Sequence, residues 1–281
     1  MIARMAGVAA LALTISACAT GSAADRAYLR QYARAEAAGR PFAPVTDARP
    51  KLTMPAAYRL QARIVARRIR GGDRVAGYKG GLMSAASLRQ RGVTEPLIGV
   101  LFASGRAGNN ASLSLCAYRR ASFEVKLGFV FSQAPGPGAD VAALKRAVSA
   151  VLPVIDLPDI GYRDPDHYGA VDMVAANVSA ARWVAGDAQA AGANDLDGLR
   201  TTIARDGQAL ASGFGRESLG GQWDSLRQLV DRIAASGRTL RPGDIVITGK
   251  MGDRGWLLPG VYDADYGPLG RVGFTVTPCP A

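Results

Sequence analysis

The strongest constraint on the fold is a set of five short apolar or alternating runs: Val75 to Gly81, Leu97 to Phe102, Ala121 to Phe131, Val151 to Leu157 and Asp244 to Gly249. Gly, Pro or Asp bound them, as expected of strands, and none approaches the roughly 20 apolar residues of a membrane-spanning helix. Segments of helical spacing precede and separate them. Asp25 to Ala38 sets Tyr28, Leu29, Tyr32 and Ala35 on one side. Ala56 to Ile69 does the same with Leu60, Ile64, Val65 and Ile69 before Gly71-Gly72 stops it. Further helices are expected over 140–150, 168–176 and 225–236, and the Pro-Gly-Pro-Gly run at 135–138 reads as a turn. The pattern is that of an α+β domain without internal repeats.

Composition narrows the function classes. With 48% hydrophobic residues in 281, the chain has ample core and is not an intrinsically disordered sequence. A single histidine, His167, excludes a zinc site built on two histidines and leaves a Ser-His-Asp triad one possible base. Its turn-like setting, Asp164-Pro165-Asp166-His167-Tyr168, reads as exposed. The charge of +11 comes from 29 arginines and five lysines, an imbalance typical of a GC-rich genome. The arginines are scattered, the densest group (Arg63, Arg67, Arg68, Arg70, Arg74) reading as the solvated side of a helix and its exit turn. No basic stripe with interleaved aromatics is present, so no nucleic-acid partner is expected. Attraction to an anionic membrane surface or an acidic substrate stays open.

The first residues read as an address. Arg4 precedes a short apolar run, Met5 to Ile15, which ends in Ile15-Ser16-Ala17-Cys18. That run is too short to span a bilayer and suits the core of a secretory signal. The small residues before Cys18 resemble a bacterial lipobox, whose cysteine is lipidated and becomes the new N-terminus; an ordinary cleaved signal is the alternative. The expected partition is a signal over 1–17, a tether with the N-terminal helix over 18–55, and an α+β domain over 56–281. Lipidated Cys18 would hold the protein to the cell envelope on the periplasmic side, and Ala19, where Asp would favour inner-membrane retention, points to the outer membrane. Cys116 and Cys279 would then share an oxidising compartment; either they pair or both are buried small hydrophobes.

Four separated runs carry a resemblance: Gly77-Tyr78-Lys79-Gly80-Gly81-Leu82-Met83-Ser84, Glu95-Pro96-Leu97-Ile98-Gly99-Val100-Leu101-Phe102, Ala175-Ala176-Asn177-Val178-Ser179 and Gly243-Asp244-Ile245-Val246-Ile247-Thr248-Gly249. In order and spacing, over about residues 25–277, the chain resembles the 2-keto-4-pentenoate hydratase family of the fumarylacetoacetate hydrolase superfamily. The resemblance implies an N-terminal helical part followed by a mixed β-roll, assembled as a homo-oligomer. It also implies a Mg²⁺- or Mn²⁺-dependent site for a small anionic 2-oxo acid, catalysing hydration of a dienol acid, or the related decarboxylation or C–C hydrolysis.

The family's metal ligands are a Glu-x-Glu pair on one strand and a third carboxylate at the end of a later one. Residues two apart on a strand share a face. In this chain those positions hold Glu124, Lys126 and Asp156. A protonated lysine cannot ligate a cation and repels one. Either the Lys126 ammonium stands in the metal's place between Glu124 and Asp156, or Lys126 faces the surface in a shifted register.

Three of the five lysines, Lys79, Lys126 and Lys250, fall in site motifs; Lys79 matches a family lysine that helps bind or protonate substrate. Together they would favour a carboxylate ligand and depress one another's pKa values, suiting one of them to act as acid, base or Schiff-base amine. Lys79, Lys126 and Ser179 are the candidate catalytic residues, and Asn177, Thr248, Gly249 and Lys250 the candidate substrate contacts. Ala176 stands where the family has Asp, and Gly220-Gly221-Gln222 where relatives often show Gly-His-Pro. Trp183, Trp223 and Trp256 read as core or interface aromatics and Asp172 as a helix-face residue. Two functions follow: a lipid-anchored hydratase-like enzyme with an altered metal site, or a tethered pseudoenzyme that binds anions or serves a structural role.

Overall fold

A computed structural model describes residues 22–192 and 194–280; the expected signal and Cys18 lie outside the described residues. The chain opens with α1 (Ala23–Ala37), started by a reciprocal cap between Ser22 and Asp25, then α2 (Val45–Ala48) and α3 (Met54–Arg70), which ends at Gly71. Tyr28, Tyr32, Phe42 and Val45 share a core with Leu60 and Ile64 of α3 and with Val174 and Val178 far along the chain.

The remaining elements in order are β1 (Val75–Gly81), α4 (Ala85–Gln90), β2 (Leu97–Phe102), β3 (Arg106–Gly108), β4 (Ala111–Ser114), β5 (Ser122–Phe131), α5 (Val141–Ala147) and β6 (Val148–Leu157). There follow α6 (Ala170–Ala175), β7 (Arg182–Ala185), β8 (Gln189–Ala190), β9 (Arg200–Arg205), β10 (Gln208–Phe214), α7 (Gln222–Ala235), β11 (Ile245–Ile247), β12 (Gly255–Trp256), β13 (Gly260–Asp265) and β14 (Arg271–Thr277). The α+β expectation holds, and all five apolar runs form strands. The helix expected over 140–150 stops at Ala147, because Val148 already pairs with Phe131 as the start of β6.

Among the described residues the strands make two sheets. The larger runs β2-β1-β11-β5-β6-β7-β3, with β12 on β5 and β8 on β6; the smaller runs β10-β9-β13-β14-β4. β1 and β11 are parallel although their paired residues lie about 170 apart in sequence, and Lys79 pairs with Ile247, which pairs in turn with Gly128. Glu124 lies opposite Asp156 and Lys126 opposite Val154. Side chains at paired positions share a face, so Lys79, Glu124, Lys126 and Asp156 project from the same side of the large sheet as Ile247, Val154 and Trp183. Ile247, Val154 and Trp183 join Leu101, Leu152 and Ile245 in a compact apolar cluster. Four ionisable groups thus rest on a hydrophobic plug.

β2 ends the large sheet on one side, and its outward backbone groups are satisfied by side chains. Gln61 donates to the Ile98 carbonyl (2.7 Å), and the Asn177 amide pairs with both the Val100 N–H (2.8 Å) and carbonyl (2.9 Å), imitating a missing strand.

Cys116 and Cys279 form a disulfide closing 163 residues of sequence. Both cysteines are exposed, so they are not the buried thiols of the alternative reading. Reduction should lower stability by about 2–4 kcal/mol by releasing a long loop in the unfolded chain. Thermal melts with and without reductant, with Cys116→Ser as control, check this: the variant should melt like the reduced wild type.

Candidate active site

The four ionisable groups form one cluster. Asp156 Oδ2 accepts from Lys79 Nζ at 2.5 Å and from Lys126 Nζ at 2.9 Å, while Lys126 also reaches Glu124 Oε2 at 2.8 Å and the Gly80 carbonyl at 3.3 Å. β11 lies between β1 and β5 and ends at Ile247, and just past its end the Lys126 side chain crosses from β5 to the Gly80 carbonyl of β1. Lys79, Lys126 and Asp156 are 3% exposed or less; Glu124 is partly open. Lys126 therefore faces inward, not the surface. Gly99 makes room for Lys79: a Cβ there would lie 3.0 Å from the Lys79 stem and 2.9 Å from the Asn177 carbonyl.

Burial works against every charge in the cluster, and the neighbours decide the outcome. Burial penalises the Lys126 ammonium, but Asp156 and Glu124 outweigh it and hold its pKa above the ordinary lysine value. For Lys79 burial wins; Asp156 opposes it, the Lys126 charge adds to it, and the pKa falls. Asp156 is pulled below the usual carboxylate range by Lys126 and Lys79 against the effect of burial, and Glu124 chiefly by Lys126. A carboxylate whose folded pKa is depressed contributes stability above its unfolded pKa and loses it as pH falls through the folded one. The melting temperature should thus hold from neutral pH to about pH 4 and fall below it. In Lys126→Met both carboxylates lose the charge that chiefly holds their pKa values down, so this acid-side fall should be smaller, as melts in a buffer series would show.

The cluster floors a cavity of about 530 Å³. Ser84, Ser87, Gln90 and Arg91 from the α4 region, Tyr168 and Met173 near α6, and Ser179, Glu217, Gly249, Lys250 and Arg254 complete much of its wall. Five cationic side chains (Lys79, Arg91, Lys126, Lys250, Arg254) face three carboxylates (Glu124, Asp166, Glu217), which favours an anionic ligand. Glu217 accepts from the Phe214 and Gly252 amides, and Arg91 is fixed by the Tyr168 carbonyl and ring.

Ser179 reaches the wall through an unusual turn. Asn177, Val178 and Ser179 have φ of 57°, 52° and 52°, a left-handed conformation costly for β-branched Val178. The grip of Asn177 on β2 helps hold it.

Comparison with known proteins adds a lineage to this geometry. No family model matches the chain. It is 33% identical over 246 residues to a 2-keto-4-pentenoate hydratase of Burkholderia vietnamiensis, covering 86% of this chain and 94% of the relative. The chain belongs to the 2-keto-4-pentenoate hydratase family. A 4-oxalocrotonate decarboxylase of a Pseudomonas species is 30% identical, covering 73% of this chain and 78% of the relative. The structure of 4-oxalocrotonate decarboxylase from Pseudomonas putida G7, complexed with magnesium and adipate, superposes with a TM-score of 0.86 at 24% identity, covering 90% and 97% of the two chains. Structures of the fumarylacetoacetate hydrolase superfamily, such as a fumarylacetoacetate isomerase/hydrolase-like protein of Oleispira antarctica (TM-score 0.52, 15% identity, 71% of this chain and 92% of that one), share the fold.

Within this hydratase-family chain the expected site residues divide. Lys79, Lys126 and Glu124 line the cavity, with Asp156 beneath them, and Ser179, Gly249 and Lys250 stand on its walls. Asn177 and Thr248 do not line it. Asn177 is spent on β2, and the Thr248 hydroxyl donates to Gln222 Oε1, the side-chain amide oxygen, at 2.6 Å. The Gly249 amide donates to Ser218 Oγ at 3.1 Å, and Lys250 Nζ to the Gly252 carbonyl at 2.7 Å. Asp172 lies on α6 as expected, on a buried face, and accepts from Thr46 and from the Gly169 amide. Trp183 is core, Trp223 packs on Phe129, and Trp256 is 38% exposed beneath Arg120 and Arg254. His167 is exposed and 3.3 Å from Asp47. Sequence reading passed over Arg91, Arg254 and Tyr168, which come from separate elements and share no spacing signal. Among the described residues no group of three or more His, Cys, Asp or Glu could hold a metal ion.

Proposed function

We propose that this hydratase-family protein binds a short 2-oxo or 2-hydroxydienoic acid over the lysine pair and hydrates it with ammonium groups where relatives use a metal ion. The observation that carries this reading is the position of Lys126 Nζ, within hydrogen-bond distance of both Glu124 and Asp156. The 4-oxalocrotonate decarboxylase of Pseudomonas putida G7 has been solved with magnesium and with calcium, but the donor set here does not fit a divalent cation. Two carboxylates remain, and each already contacts an ammonium. A cation there would be repelled by several kcal/mol at an effective dielectric of about 20.

Hydration of a 2-hydroxydienoate has two parts. The enol proton is relocated to the terminal carbon, giving the 2-oxo-3-ene; water then adds its hydroxyl to C4 and its proton to C3. Negative charge develops on the 2-oxygen while that second proton is still in transit. Lys126 and Lys79 line the cavity from buried positions on the same side of the sheet as an apolar cluster, and are placed to hold that charge by hydrogen bonds that burial strengthens. Lys79, whose ammonium burial destabilises, is the group suited to pass a proton. The cationic wall holds the carboxylate.

Lys79→Ala should lower the rate of 2-hydroxypenta-2,4-dienoate consumption, followed by its ultraviolet absorbance, by about 10²-fold or more. Asp156 keeps Lys126 as partner in that variant, so the fold should survive. Wild-type turnover should persist in EDTA. A second reading, a tethered binding module without turnover, is favoured by the ion pairs that already satisfy both lysines; binding of a 2-oxo acid with no consumption of the dienoate would select it.

The envelope location is part of the proposal. The lipobox-like run ending at Cys18 and the exposed Cys116–Cys279 disulfide both suit export to an oxidising compartment. Among the described residues no helix is long and apolar enough to cross a membrane, so attachment would rest on lipidated Cys18.

A further inference from the structure

α1 carries two carboxylates, and both are taken: Asp25 pairs with Arg49 and Glu36 with Arg67. Arg30 and Arg34, one turn apart on α1, line a groove of about 550 Å³ together with Arg40 and Arg163. All four are exposed, and no carboxylate lines the groove. Asp164, next to Arg163, accepts instead from the Asp166 amide. Among the described residues none of the four guanidiniums has a carboxylate partner, while Arg49, Arg67 and Arg68 close by are all paired. Four like charges around one concavity create a field that an anion relieves.

The groove also has a position. Cys18 precedes Ser22, the cap of α1, by four residues, a span of at most about 14 Å. A lipid-anchored Cys18 would keep the start of α1 within about two Debye lengths of the head groups.

We propose that this arginine groove docks on the phosphate-bearing head groups of an anionic bilayer and fixes the orientation of the anchored protein. The inference rests on the lipid-anchored reading above. Phospholipid phosphates offer paired anionic oxygens that the planar guanidinium fork binds bidentately, and each arginine near an anionic surface adds to the attraction.

The test uses the lipidated protein in vesicles, labelled with the arginine reagent phenylglyoxal and read by peptide mass spectrometry. In vesicles containing phosphatidylglycerol, labelling of Arg30, Arg34, Arg40 and Arg163 should fall by about fivefold or more relative to phosphatidylcholine vesicles, and recover in high salt. Arg146 and Arg200, exposed on other elements, should label equally in both. The double variant Arg30→Gln/Arg34→Gln should lose the protection at Arg40 and Arg163. Equal labelling of the four in both vesicles, with acylation of Cys18 confirmed by mass, would overturn the inference. So would protection by inorganic phosphate alone in phosphatidylcholine vesicles, which would mark a soluble-anion site. An unacylated Cys18 would retire the anchored reading itself, and the docking with it.

Discussion

Asp156→Ala should be the most damaging single substitution in the site, lowering stability by about 3–5 kcal/mol. Asp156 is fully buried, and one of its oxygens serves two lysines. Its removal leaves Lys79 with no carboxylate partner and Lys126 with only Glu124, so two ammoniums share one carboxylate over an apolar plug. For a chain of this length the melting temperature should drop by roughly 10 °C. Asp156→Asn should do nearly as much, because the amide keeps a hydrogen-bond acceptor but no charge. If the ammonium of Lys79 causes the cost, Lys79→Met should recover part of it in the Asp156→Asn background, as a double-mutant cycle would measure. A fall of less than about 2 °C in Asp156→Ala would mean that the cluster is better hydrated than its burial indicates.

What could be read from residues alone follows the range of the interactions. The strand from Leu97 to Phe102 is apolar throughout, and its limits are legible because burial on both faces leaves no competing pattern. The second sheet was not foreseen. Arg200–Arg205 and Gln208–Phe214 bury only alternate or isolated residues, and their polar composition resembles loop. Within the site, the spacing of Glu124 and Lys126 placed both on one face, and the inward orientation of Lys126 then follows from its register opposite Val154. Asn177 and Thr248 sit in the right motifs, yet their side chains hold other segments: the partners, Val100 and Gln222, are 77 and 26 residues away. The partner of Asp172 is hidden for the same reason, since Thr46, which donates to it, lies 126 residues earlier. A local pattern reports which face a side chain takes, whereas its partner is set by topology.

Restoring three carboxylates should convert the cluster into a metal site. In Lys126→Glu/Asp156→Glu the bridging ammonium is gone, and Glu124 and its two new neighbours repel one another across a buried floor. In EDTA the double variant should therefore melt well below wild type. Millimolar Mg²⁺ or Mn²⁺, bound by the folded state and not the unfolded one, should raise its melting temperature, by about 2.7 kcal/mol of stabilisation at a concentration a hundredfold over Kd. Wild type should show no such shift. If turnover of 2-hydroxypenta-2,4-dienoate appears only in the metal-loaded double variant, the wild-type protein is a binding module; if wild type turns over in EDTA, its lysines suffice.

The central claim is that the ammonium of Lys126 holds the place of a divalent cation, and calorimetric titration of the EDTA-dialysed wild-type protein with Mg²⁺ and Mn²⁺ tests it most directly. The account predicts no stoichiometric binding of either ion, with or without a 2-oxo acid present. One ion bound per chain, with an affinity abolished in Glu124→Ala, would contradict it.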